Sequence, residues 1–377
     1  MPDGVQLSLM IGPAVPVPVS RTVIDALESV QVTTTAELGK PSAFQLTFAL
    51  NNRSPITTLF MVSAGVPIPL VRVVIVATIA GTPQVLIDGV MTHHQFAPGE
   101  GGRPGTLTVT GEDLSRVMDY LPLDGIPYPA MPPEARVLIM LAKYTILGVI
   151  PMVIPSVLID VPIPVQEIPR QQGTDLKYIL KLARDVGYTF YLMPGPVPGT
   201  SIAYWGPLLK VSPPQPALNV DMDAFTNVES LSFAYDAEQY KLPVLLIQEP
   251  NSKVTIPIPV PDITPLNPPL GLVPPIPKGF EPIQIAAKLS PVRAAIIGLA
   301  MAAQKAQVVK GTGRLNVVRY GRPLRARELV GVRGAGPAFD GLFFVQSVTH
   351  EIKRGEYTQN FTLSRNGLIS TLPRVPA

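Results

Sequence analysis

The chain has 377 residues, enough for two or three domains with separate cores. Hydrophobic residues make up 46% and charged residues 15%, well below the roughly 25% charge of ordinary soluble domains, so much of the surface is expected to be covered by other subunits. The 30 basic and 27 acidic residues leave only +3, which argues against nucleic acid, and the absence of cysteine excludes disulfides and thiolate metal sites.

Proline is the compositional outlier, 45 of 377 residues against a typical ~5%. Glycine adds 30, so the pair stays below the ~25–30% that marks disorder, and the prolines are expected to stiffen loops. The N-terminal MPDGVQLSLMIGPAVPVPV lacks a basic region and is broken by prolines, so no signal peptide is expected. TILGVIPMVIPSVLIDVPIPV carries too many prolines for a membrane helix, RAAIIGLAMAAQKA is too short, and no membrane span is expected.

Residues 20–118 read as β structure. SAFQLTFAL puts Phe44, Leu46, Phe48 and Leu50 on one face; VRVVIVATIAGTPQVLIDGVM gives two strands joined at Gly81 and Thr82; TLTVTG turns Leu107 and Val109 inward before a short helical EDLSRVM. MPPEARVLIMLAKYTI reads as a helix started by its prolines, with Val137, Leu138, Leu141 and Ala142 buried. A proline-studded insertion to Pro169 follows. In DLKYILKLARDVGYTFY, Leu176, Ile179, Leu180, Ala183 and Val186 form an apolar stripe, Thr174 is placed to cap the helix and Gly187 to stop it. Tyr188, Phe190 and Leu192 then alternate as a strand whose hairpin partner is SIAYWG.

AFTNVESLSFAYD returns to strand, with Leu231, Phe233 and Tyr235 on one face. From Leu242 to Pro282 the chain reads as an apolar, proline-rich connector with little regular pairing. Ser290 and Pro291 would start a helix carrying Ala294, Ile297 and Met301. The last block has a strand over Leu315–Val318, a polar loop GRPLRAREL, and strands in LVGVRG, GLFFVQSVTHEI and YTQNFTLSR separated by glycine turns. The lone strand before the connector needs partners, and pairing it with these strands would make the connector an insertion within one sheet.

Two blocks carry a family resemblance. The LA-x-x-x-G-Y-x-F-Y core from Leu182 to Tyr191 is one. The other runs through Asp340, Gly341, Val345, Val348, His350, Gly355, Tyr357, Phe361, Leu363 and Arg365. Together they resemble the baseplate hub proteins of contractile injection systems, the phage late-control D family, and the hub part of type VI spike proteins. The resemblance covers nearly the whole chain in order and is loose in the proline-rich connectors.

It implies an α+β, mostly β fold with two similar β-barrel domains, a smaller α/β helix–hairpin domain and proline-rich insertions. The domains expected are a first tube-docking barrel over 1–120, an α/β insertion domain over 121–215 and the first part of a second barrel over 216–242. A proline-rich connector and helix over 243–309, the rest of the second barrel over 310–370 and a tail over 371–377 complete the chain. It further implies a homotrimeric, non-enzymatic hub, adapting a hexameric inner tube to a trimeric spike. Its expected partners are the inner tube protein, a spike that is a separate polypeptide, since spike-fused relatives continue past this point, and baseplate wedge proteins. Assembly in the bacterial cytoplasm, into a phage tail or tail-like particle, is expected. Two alternatives are a tail-associated glycan-hydrolysing enzyme and a β-rich adhesive surface protein.

No catalytic, cofactor-binding or metal-ligating residue is expected, and no cofactor. Neighbours His93 and His94 would point to opposite faces of a strand. His350–Glu351 lacks the second histidine of HExxH and reads as a structural residue. GEGGRPG and GVRGAG do not open helices, so they read as turns rather than phosphate loops. Asp221 and Asp223 could form a glycosidase pair but fit a solvated turn better, and Trp205 reads as core. NRS at Asn52 and NFT at Asn360 match the glycosylation pattern, which matters only in a secreted chain.

Overall fold

The structure, a computed structural model, describes residues 4–50, 70–99, 104–156, 168–236, 240–248, 255–260, 267–282, 296–302 and 306–372. Most of its regular structure is β. The first strand set comprises β1 (Val5–Gly12), β2 (Val17–Pro18), β3 (Leu27–Thr35), β4 (Ala43–Leu50), β5 (Arg72–Ile79), β6 (Thr82–Ala97) and β7 (Gly105–Asp113), with the short helix α1 (Arg21–Ala26) before β3. In-facing and out-facing residues alternate as the pleat requires: Phe44, Leu46, Phe48 and Leu50 are buried, as are Leu107 and Val109. Ala80 and Gly81, both at positive φ, make the β5–β6 turn, and Thr82 already belongs to β6. EDLSRVM forms a 3₁₀ helix, Leu114–Asp119, capped by the Asp113 carboxylate.

The central unit holds α2 (Pro133–Ala142), β8 (Val149–Val153), α3 (Asp175–Asp185), β9 (Thr189–Pro194) and β10 (Ser201–Gly206). Thr174 Oγ1 accepts from Lys177 N, and Gly187 at φ +70° ends α3. β9 and β10 pair as the expected hairpin. Two expectations need correction. In α2 the buried side is Arg136, Val137, Met140 and Leu141, with Leu138 45% exposed and Ala142 exposed, because the helix turns its 136/140 ridge to the core. The insertion after α2 opens with a strand: β8 pairs in parallel with β10, an edge position that tolerates Pro151. These elements enclose a core around Trp205, Ile179, Met140 and Phe190, joined by Val90 and Leu114 from the first strand set.

The second strand set comprises β11 (Gln215–Asn219) and β12 (Val228–Tyr235) before an insertion, then β17 (Val309–Asn316), β18 (Leu329–Arg333), β19 (Gly341–Lys353) and β20 (Glu356–Arg365) after it. The insertion carries β13 (Leu242–Gln248), β14 (Thr255–Pro259), β15 (Gly271–Val273) and β16 (Phe280–Pro282). It is therefore not an unpaired connector. β13 pairs with β14 and β16, and β15 pairs with β21 (Leu368–Ser370). Pro257 and Pro259 are two apart, so both missing N–H groups fall on one side of β14, an edge strand. Residues 296–302 are helical; Ser290, Pro291 and Ala294 lie outside the described residues. The strand placed at Leu315–Val318 ends at Asn316, whose side chain caps a helical turn, Val317–Tyr320. Leu231 and Phe233 pack on the core, while Tyr235 is 40% exposed.

One pairing order occurs twice. The first set runs β3-β4-β7-β6-β5-β1 and the second β12-β17-β20-β19-β18-β11, each strand occupying the same place in chain order. The repeat extends to irregularities. β3 and β12 carry a bulge at Leu27/Ser29 and Val228/Ser230, and β6 and β19 one at Met91/His93 and Val345/Ser347. The sets differ in one direction: β1 lies antiparallel to β5, whereas β11 lies parallel to β18. They join through β19, whose C-terminal half pairs with β3 from Ser347↔Thr35 to Lys353↔Ser29.

Candidate functional site

Three buried clusters gather carboxylates with hydrogen-bonding side chains. In the first, Arg72 Nε and Nη2 donate to the Asp88 carboxylate at 2.8 and 2.7 Å, and the same guanidinium donates to Ala14 O and Gly199 O. Burial pushes the Asp88 carboxyl up, and the Arg72 fork works against that shift. In the second, Asp113 accepts from Ser42 N, Ser115 N and Ser115 Oγ, with burial again raising its pKa. In the third, Asp175 at the start of α3 accepts from Tyr144 Oη and Gln171 Nε2, both at 2.7 Å, and pairs with Lys143. Burial and the Asp175 charge both raise the Tyr144 pKa. Arg136 donates to Tyr178 Oη across α2 and α3. The carboxylates are occupied by these donors, so the clusters act as ties between elements. Sequence reasoning passed over Arg72 and Asp88. The available signal was one charge in each of two apolar runs joined as a hairpin.

The residues singled out by sequence do not converge. His93 and His94 lie exposed at the C-terminal end of β6, opposite Thr110 and Val109 on alternate faces. His350 is buried, its Nδ1 2.7 Å from Tyr357 Oη, and burial pushes its pKa down to about 4. Glu351 accepts from Asn360 Nδ2. Asp221 and Asp223 sit exposed in a turn with φ +48° at each. Trp205 is fully buried with its ring 4.9 Å from Tyr188. Gly334 and Gly336 adopt positive φ in the β18–β19 turn. Of GEGGRPG, residues 100–103 lie outside the described residues, as does Asn52. Among the described residues no group of three His, Asp or Glu could hold a metal ion. No helix among them is long and apolar enough to cross a membrane, which says nothing of β-barrels.

A cleft of about 570 Å³ opens between β6, β9 and the 323–328 loop. Its walls include Tyr191, Arg325, Arg327, Glu328 and His350, with the Arg327 guanidinium 4.1 Å from the Tyr191 ring centre. Among the described residues Glu328 is the one carboxylate lining it, whereas glycoside hydrolysis uses a pair. What the molecule presents instead is bare apolar surface. Leu138, Ile139, Ile146, Ile150, Met152 and Ile154, all within residues 138–154 of the central unit, are 38–84% exposed. Phe96 at the end of β6 and Tyr235 at the end of β12 are 41% and 40% exposed.

No protein-family model matches the chain, and no curated protein matches it. Solved structures do. A tail protein from Neisseria meningitidis superposes with a TM-score of 0.62 at 15% identity, over 97% of this chain and 98% of that one. The 43 kDa tail protein of prophage MuSo2 from Shewanella oneidensis gives 0.60 at 13% identity, over 96% and 98%. This chain has the fold of those tail proteins. A chain of the Francisella PdpA–VgrG complex gives 0.58 at 8% identity; there the match takes in 100% of this chain but 60% of the longer one. At such identities the likeness is one of fold.

Proposed function

We propose that this protein is a structural hub of a contractile injection baseplate, a homotrimer that adapts a hexameric inner tube to a trimeric spike. One observation carries the reading: a single chain contains the same six-strand pairing order twice, joined edge to edge. Three such chains supply six equivalent modules, which is what a threefold component needs to meet a sixfold one. The full-length likeness in fold to phage tail proteins supports the same reading. So does the 15% charge content, since permanent interfaces are more apolar than transient ones. In this reading, residues 1–120 and the 216–242 and 310–370 segments form the tube-docking barrels, and 121–215 forms a separate α/β unit. Inner tube, spike and baseplate wedge proteins are its partners, its place is in a phage tail or tail-like particle, and it performs no chemistry.

The test is the mass of the purified chain in solution, followed by capture of tube and spike subunits. A trimer that retains both is expected. A stable monomer that binds neither at micromolar concentration refutes the proposal. A peptidoglycan lysis assay separates it from a glycan hydrolase, and no loss of turbidity is expected.

A further inference from the structure

The 323–328 loop is pinned at two successive residues. Gln359 closes two bonds on the Leu324 backbone, accepting from its N–H at 2.8 Å and donating to its carbonyl at 2.9 Å. Gln215 does the same to Arg325, again at 2.8 and 2.9 Å, and Arg325 Nη2 donates to Gln84 Oε1. These amide clamps fix the backbone that leads into Arg327, which stands at φ +68°. Arg327 N donates to Val345 O and Val345 N donates to Glu328 O, so the left-handed conformation is locked on its far side too. Strain of this kind on a residue with a side chain persists where the side chain itself is used. Here it enters the cleft of about 570 Å³, with its guanidinium 4.1 Å from the Tyr191 ring centre. Its Nε is buried and donates to nothing, and among the described residues the guanidinium forms no ion pair. The Asp113 charge attracts it, but that carboxylate is taken up by Ser42 N, Ser115 N and Ser115 Oγ. Burial lowers the Arg327 pKa, as it does for a cation short of a counter-charge. Arg325, by contrast, is engaged with Gln84 and, at 3.9 Å, with Glu328.

We propose that this cleft binds a carboxylate carried on an apolar body, with the Arg327 guanidinium as its anchor. Among the described residues the charged groups lining it are Arg325, Arg327 and Glu328, two positive against one negative. His350 adds no charge at neutral pH, since burial pushes its pKa down to about 4. A monoanion balances the remaining positive charge, whereas a phosphate dianion would meet the Glu328 carboxylate as well. Tyr191 covers one face of the guanidinium, which leaves the planar fork to meet a carboxylate edge to edge. Pro83, Leu86, Met193, Pro194, Ile202 and Pro323 supply apolar walls for the rest of the ligand. Three of these six are prolines, so little conformational freedom is lost when the site fills. The volume is that of a small-molecule site. A free carboxylic acid and the carboxyl terminus of a peptide share this chemistry. The occupant touches β6 of the first strand set, β9 of the central unit and the loop before β18 of the second set, and so braces all three. The site rests on neither the trimer nor the partners of the proposed hub.

Titration calorimetry of the full chain with octanoate tests the site, and octanamide is the uncharged counterpart. Octanoate should bind saturably, and octanamide at least about tenfold more weakly, because the charge-assisted bond is lost. Arg327→Gly should weaken octanoate by at least about tenfold. Its melting temperature should be unchanged or raised, since glycine relaxes the φ of +68°. Arg327→Lys keeps the charge without the fork and should fall between the two. The peptide acetyl-Leu-Pro-Leu, as free acid and as amide, separates the sources. A free-acid peptide that outbinds octanoate assigns the site to a peptide carboxyl terminus, and the reverse order assigns it to a small acid. Absence of saturable binding by both acids up to about 10 mM overturns the proposal. So does equal affinity for octanoate and octanamide, or undiminished binding to Arg327→Gly. A marked fall in the melting temperature of Arg327→Gly, with no preference for acid over amide in the native chain, would make Arg327 a structural brace and nothing more.

Discussion

Replacing Asp88 by alanine should destabilise the junction between the first strand set and the central unit more than any surface change. Arg72 is 3% exposed and Asp88 is 2% exposed, and their two bonds leave the guanidinium free to hold Ala14 O and Gly199 O. Removing the carboxylate strands a buried cation, at a cost of about 3–5 kcal/mol. Replacing both partners, Arg72→Met with Asp88→Leu, removes the stranded charge and loses chiefly two neutral-acceptor bonds, at about 1 kcal/mol each. The double variant should therefore be the more stable. Urea unfolding gives the overall loss, and hydrogen exchange of the Gly199–Trp205 amides localises it, because Arg72 reaches Gly199 from the neighbouring unit. A loss below about 1 kcal/mol for Asp88→Ala, or a double variant as damaged as the single, would show that the pair does not govern this junction.

Further expectations follow from individual environments. His350 is buried with a pKa near 4 against 6.5 unfolded, so its contribution is complete above pH 6.5 and fades as the pH falls toward 4; that is roughly 3 kcal/mol, and His350→Gln should flatten the pH dependence of the urea midpoint over this window. A Cβ on Gly111 would lie 2.2 Å from Val90 O and 2.4 Å from the Phe44 ring, so Gly111→Ala should lower the melting temperature far more than Gly355→Ala, where φ is +82° but the space is open. Thr174→Ala removes the α3 cap and the bond to Asp119, and should cost about 1–2 kcal/mol in chemical denaturation.

Local grammar was legible wherever one short segment determined its own structure. The α3 cap, its stop at Gly187 and the β9–β10 hairpin follow from neighbouring residues, as do the alternating faces of β4 and β7. What failed was non-local. β8 is a strand because β10, 52 residues later, lies beside it; β13 and β14 pair although their prolines argue for an open connector. In α2 the stripe was misplaced by one ridge, because Arg136 buries its aliphatic stem while its head groups bond Met131 O and Tyr178 Oη. For the candidate site, the sequence placed Trp205 in the core, His350 as a structural residue and Asp221–Asp223 in an exposed turn, and the structure has the first two buried and the pair in a turn. It gave no indication of the Arg72–Asp88 tie, which depends on what lies beside each residue in space.

The repeat itself is invisible in the sequence for a physical reason. Where the first set places Phe44 against Gly111, the second places Gly311 against Leu363: bulk and void have changed strands while the pair still fills its space. Burial at a cross-strand pair constrains the sum of two volumes rather than either residue, so identity can drift while pairing order and bulges persist. The same comparison locates the departure from equivalence. β3 and β4 are joined by residues 36–42, whereas their counterparts β12 and β17 are separated by residues 236–308. In the proposed trimer, the six modules would be alike at the level of strands, but every second one would bear this insertion. A surface made from the strands could then meet a sixfold tube, and one made from the insertions would be threefold. The change of symmetry assigned to the hub would thus reside within each subunit, in the length of one connection between two otherwise equivalent strands.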